Sequence, residues 1–132
     1  MSLSTWKKEF YPKNANKVSK KEALNHSLQK WNGLLKKNLK KHKVEIHIGA
    51  LHDQNDLFYD AGLEIDYSSC ALCFYYMENS CKLCPLAIIR GNIDCDALMF
   101  NEAVSPYRCF MEDKNILPML KWLKKAKKYT GL

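Results

Sequence analysis

The sequence predicts a mainly α fold with a small β-hairpin, an α+β arrangement gathered around a four-cysteine zinc-type site. Three observations lead there. Apolar residues recur at helical spacing in segments near both ends, two short central segments alternate apolar with polar residues, and four cysteines fall in two C-x2-C pairs. The chain has 132 residues, 47% of them hydrophobic, enough for one packed core and few enough to benefit from a staple.

Residues 1–18 read as an N-terminal arm. Pro12, Asn14, Asn16 and scattered lysines break up any regular pattern, and Trp6, Phe10 and Tyr11 are the large aromatic groups by which the arm docks. Residues 19–132 then read as a single helical metal-binding domain. Ser19-Lys20-Lys21-Glu22 has the form of a capping box, in which the serine hydroxyl and the glutamate each satisfy a backbone donor that a helix start leaves orphaned. Ala23, Leu24, Leu28 and Trp31 follow at helical spacing on one side, and Gly33 punctuates the run. Leu34, Leu35 and Leu39 continue the stripe, with Lys36, Lys37, Lys40, Lys41 and Lys43 mostly turned away from it, which predicts a second, short basic helix.

Residues 44–48 alternate apolar with polar and end at Gly49, the period of a half-buried strand. Residues 63–67 alternate in the same way and are the expected partner, with the stretch between as loop or short helix. Pro85-Leu86-Ala87-Ile88-Ile89 reads as a short helix with proline in its first turn, ended by Gly91. Asn115 caps a last helix that tolerates Pro118 near its start and buries Ile116, Met119, Leu120, Leu123 and Ala126. Residues 92–113 carry no decisive pattern.

The net charge of +7 is segregated. Residues 1–43 hold 12 Lys against 2 acidic residues, net +10; residues 44–113 hold 3 basic against 12 acidic, net −9; residues 114–132 hold 6 Lys and no acid, net +6. Two readings follow. The basic ends fold back on the acidic centre and complement it, or they form a surface for nucleic acid or an acidic protein. Only Arg90 and Arg108 are arginines, so nucleic-acid binding by these lysines is backbone contact of weak sequence specificity. The residues that would carry it are Lys36, Lys37, Lys40, Lys41, Lys43, Lys121, Lys124, Lys125, Lys127 and Lys128. No run of about 18 apolar residues predicts a membrane span and no secretory signal is recognised, so a cytoplasmic location is expected.

In a reducing compartment clustered cysteines are metal ligands or reactive thiols more often than disulfides. Cys70 and Cys73 form one C-x2-C pair, Cys81 and Cys84 a second, with seven residues between. Each such turn can point two sulfurs at one ion, and two turns supply the four thiolates of a closed tetrahedral zinc site. An iron–sulfur cluster is the rival metal reading, drawn from the Cys84-Pro85 step, although the C-x2-C-x2-C-x3-C series is absent; redox-active thiols are the third. Cys95, Cys109, His47 or His52 could replace a ligand, while each also reads as an ordinary core or surface residue.

Catalytic patterns are not met. A redox C-x-x-C belongs in a βαβ context, a zinc deaminase needs H-x-E well before P-C-x-x-C, and no phosphate-cradling glycine loop is present. The expectation is a non-enzymatic protein.

The run Glu22-Ala23-Leu24-x-His26-Ser27-Leu28-x-Lys30-Trp31-x-Gly33-Leu34, with Cys70-Ala71-Leu72-Cys73, Cys84-Pro85-Leu86 and Ser105-Pro106-Tyr107, resembles an uncharacterised family of small cysteine-containing proteins of bacteria and their phages. The resemblance spans roughly residues 19–125 and implies one coherent domain of accessory type. By analogy it points to a protein that binds a host factor or nucleic acid, the partner left open; structural zinc is expected from the cysteine spacing alone.

Overall fold

The computed structural model describes residues 2–59, 62–65, 69–76, 84–91, 93, 95, 102 and 104–130. Helix α1 (Leu3–Phe10) occupies much of the stretch read as an arm. Its start is fixed locally: the Ser2 side chain accepts from the Thr5 N–H, and Thr5 Oγ1 in return accepts from the Ser2 N–H at 2.8 Å. Leu3, Trp6 and Phe10 share its buried face. Trp6 is 0% exposed, and its indole donates to the Gly33 carbonyl at 2.8 Å, so the polar edge of the ring is satisfied where it is buried.

Helix α2 (Ala23–Gly33) is preceded by a 3-10 turn over Lys20–Glu22. Ser19 caps that turn by accepting from the Glu22 N–H at 3.3 Å, the serine half of the expected capping box. Helix α2 is the centre of the fold and packs against α1 and three helices described below. Helix α3 (Lys36–His42) is the short basic helix the sequence predicts; it ends at Lys43 in the left-handed region, φ +54°.

Strands β1 (Val44–His47), β2 (Ala50–Asp53) and β3 (Gly62–Glu64) form an antiparallel sheet in the order β1-β2-β3. The expected pairing of 44–48 with 63–67 is therefore corrected: β2 lies between them and pairs with both. The reason is the turn. Ile48 and Gly49 both have positive φ, +47° and +72°, which suits a two-residue hairpin whose twist matches its strands and returns the chain at once along β1. Residues 66 and 67 of the expected strand lie outside the described residues. One face of the sheet presents Val44 and Leu51 to the core; the other carries Glu45, His47, His52 and Glu64.

Helices α4 (Ala71–Tyr76), α5 (Pro85–Ile89), α6 (Pro106–Asp113) and α7 (Leu117–Thr130) complete the fold. Helix α5 starts on proline and gives way to Gly91 at φ +75°, as expected. Asn115 Oδ1 accepts from the Leu117 N–H at 3.2 Å, and Ile116, Met119, Leu120, Leu123 and Ala126 are all buried. Helix α6 falls where the sequence carries no decisive pattern; Ser105 caps it, with Pro106 in its first turn. Helices α4 and α7 pack on α2, and α5 and α6 pack on α7. The core joins Trp6, Leu24, Trp31, Leu51, Ile65, Phe110 and Leu123, with the Trp31 and Phe110 rings edge to face at 5.0 Å. Mainly α with a small sheet is thus the observed class.

Candidate metal centre

The described cysteines nearest to forming a site are Cys70 and Cys73. Cys70 immediately precedes α4 and Cys73 lies within its first turn, so the two-residue spacing brings them together; the Cys73 N–H approaches Cys70 Sγ at 3.4 Å. The Cys73 thiol acts as a hydrogen-bond donor to the Cys70 sulfur, and with the nearby Lys30 cation it outweighs burial and holds the Cys70 thiol down at about 5. These contacts favour the thiolate form of Cys70. A thiolate is the form in which cysteine binds metal.

Lys30 comes from α2 and is 1% exposed. Its Nζ donates to the carbonyl and hydroxyl oxygens of Ser69, each at 3.3 Å, one residue ahead of Cys70. It also sits 5.3 Å from the Trp31 ring centroid. A cation at this depth requires compensating charge, and the Cys70 thiolate supplies some of it. Sequence reasoning passed over Lys30, yet a signal existed: Ala23, Ser27 and Lys30 fall at i, i+4 and i+7, on the buried edge of α2.

His26, one turn before Lys30, is buried. Its Nε2 lies 2.7 Å from the Lys13 carbonyl and its ring 4.9 Å from that of Tyr11. Burial lowers its pKa, so the imidazole is neutral, with Nε2 carrying the proton donated to Lys13. Its Nδ1 has no hydrogen-bond partner among the described residues.

Cys84 is the residue before Pro85 and is buried. Burial, and after it the charge of Cys84, raises the Tyr76 hydroxyl pKa. Cys84 is thus within electrostatic reach of the Tyr76 hydroxyl at the end of α4. Cys81, the fourth expected ligand, lies outside the described residues. Among the described residues no three His, Cys, Asp or Glu side chains converge as a metal-binding group, and no disulfide joins the five described cysteines. The donor chemistry of Cys70 and Cys73 suits a thiophilic ion.

The remaining candidates sit elsewhere. The Cys95 carbonyl accepts from the Tyr107 N–H at 3.0 Å, and Cys109 is half-buried on α6. On the outer sheet face His47 stacks on Tyr59 at 3.7 Å, while His52 is buried, 3.3 Å from an Asp56 oxygen and packed over Gly62. His42, at the end of α3, is buried and bonded to Glu9 at 2.8 Å and Thr5 at 2.9 Å.

The ten lysines of the sequence reading are all exposed, five on or just after α3 and five on α7. Lys41 is 3.0 Å from Glu9 and, ahead of His42, holds that carboxyl below its usual range. Lys121 and Lys125 lie over the Trp122 ring, at 5.9 and 4.8 Å. Among the described residues no helix is long and apolar enough to cross a membrane. Comparison with known proteins gives no match to a family model, to a curated protein or to a solved structure.

Proposed function

We propose that this chain is a small non-enzymatic accessory, adaptor or inhibitor protein of phage type, cytoplasmic, whose helical scaffold is held by one zinc ion. The ligands are Cys70, Cys73, Cys81 and Cys84. The observation that carries the reading is that Cys70 and Cys73 meet at the start of α4, the Cys73 N–H 3.4 Å from Cys70 Sγ, beside the buried cation Lys30 bonded to Ser69. Four thiolates on a divalent ion leave two net negative charges, and Lys30 offsets part of that excess. Such a site closes around the metal and leaves no position for substrate, so the function lies on the surface it supports. Phe58, 85% exposed, with Leu57 at 79%, is a surface aromatic able to meet a partner protein, because Tyr59 beside it is anchored on His47. The experiment is a melting curve before and after verified chelation. A large fall in melting temperature supports the reading, since binding free energy at a closed site is folding free energy; an unchanged curve overturns it.

A second reading, nucleic-acid binding of weak sequence specificity, is favoured by the exposure of all ten lysines of α3 and α7. Binding that falls steeply with salt supports it, and no retardation of DNA or RNA at low salt removes it.

A further inference from the structure

We propose that the hollow beside α1, ringed by Lys7, Lys8, Lys13 and Lys17, holds the phosphodiester backbone of a single nucleic-acid strand. This rests on the second reading above and gives it a site centred on four lysines outside the ten already named.

The hollow is an open depression of about 770 Å³ between α1 and the chain that follows it. Lys7 and Lys8 leave the last turns of α1; the chain then turns at Pro12 and brings Lys13 and Lys17 alongside. The second wall is fixed. Tyr11 Oη accepts from the Ala15 N–H at 3.0 Å, the buried His26 ring holds the Lys13 carbonyl, and Ala15 and Val18 are buried in the core. The lysines therefore project from anchored backbone on both sides, which limits the ordering a ligand has to impose.

The charge around the hollow is net positive, four lysines against the one carboxylate of Asp53. Among the described residues none of the four lysines is in an ion pair, whereas Lys41 nearby on α3 has Glu9. Asp53 is the acidic group on the wall, and one of its oxygens is taken by the Leu3 N–H. Beyond Asp53 a second hollow of about 340 Å³ adjoins the first and carries Lys43, so a fifth lysine continues the basic track.

Phosphate is the anion this lining suits. Lysine is a point charge that neutralises evenly spaced phosphates without the bidentate geometry arginine would bring. An acidic peptide would need apolar anchors, yet Leu3 and Tyr11 in the lining are already buried in the protein core. With no exposed aromatic on the wall for bases to stack on, the track is expected to bind without sequence preference.

The test is fluorescence anisotropy with a short dye-labelled oligothymidylate over a salt series. Four phosphates neutralised on a single strand correspond to a slope of about −3 in log K against log salt. Lys13→Glu with Lys17→Glu is expected to weaken binding at least tenfold and to make the slope shallower by about 1.4, two phosphates' worth. Asp53→Asn is expected to tighten it. Both lysines are exposed, so melting should be unchanged; should the double reversal lower it, Lys13→Ser with Lys17→Ser gives the same comparison. Affinity that survives these changes but is lost with Lys124→Glu and Lys125→Glu overturns the hollow and leaves the α7 reading standing. No binding of any strand at low salt overturns both. Displacement by a polyglutamate peptide as effective as by unlabelled strand overturns the strand in favour of an acidic protein.

Discussion

Lys30 and Ser69 are joined by two hydrogen bonds inside the protein, and through them a buried cation is delivered next to Cys70. The lysine belongs to the central helix and the serine to the segment leading into α4, so one contact ties the scaffold to the candidate centre. Lys30→Met keeps the volume and removes the charge. In the metal-free protein the alkylation midpoint of Cys70, read by peptide mapping across pH, is expected to rise but to stay below that of an ordinary thiol, because the larger influence, the Cys73 hydrogen bond, remains. A midpoint that stays in place would show that Lys30 does not stabilise the thiolate.

His26 makes stability depend on mild acid. Burial lowers its pKa below the ordinary 6.5, so the folded protein holds it neutral while the unfolded chain takes up a proton. Its contribution is present above about pH 6.5 and is lost as pH falls toward the lowered folded value. The difference between melting curves of the wild type and His26→Gln, followed from pH 8 to pH 5, is expected to shrink through that window. A constant difference would contradict it.

Gly33 is where two aromatic residues close on α2. A Cβ there would lie 2.6 Å from Phe10 Cγ and 2.7 Å from Trp6 Cζ2, and the Gly33 carbonyl takes the Trp6 indole hydrogen. Neither ring can move without disturbing the core, so Gly33→Ala is expected to destabilise by about 1–3 kcal/mol in urea unfolding. A wild-type midpoint would mean that α1 yields more readily than its burial indicates.

Arg90 is 0% exposed and forms a two-pronged ion pair with Glu102 at 2.8 and 2.9 Å, its guanidinium 5.2 Å from the Trp122 ring. Glu102→Ala takes away the carboxylate and leaves the charge buried, which is expected to cost about 3 kcal/mol of stability. Adding Arg90→Met should recover part of that loss, since the stranded charge is what makes the single change severe. Equal stability of single and double variants would count against it.

The helices were legible where one periodicity ran long enough: the stripes of α2 and α7 and the proline at the start of α5 can be read directly from the residues. Helix α1 was not, because its capping pair is Ser2 and Thr5 and its lysines obscure the Leu3–Trp6–Phe10 face. The sheet was half legible. Alternation marked β1, but Ala50-Leu51-His52, buried throughout, shows no alternation, so β2 was hidden and β3 was given its place. The C-x2-C spacing announced that Cys70 and Cys73 meet; nothing local in the sequence announced that Lys30, forty residues earlier, would lie beside them.

Elemental analysis of the purified protein, combined with mapping of the cysteines that resist alkylation, tests the central claim most directly. The account predicts one zinc per chain, with Cys70, Cys73, Cys81 and Cys84 protected until the metal is removed, Cys95 and Cys109 indifferent to its removal, and the metal lost in Cys73→Ser. A folded protein that carries no zinc and whose four cysteines alkylate at the same rate with or without chelator would contradict it.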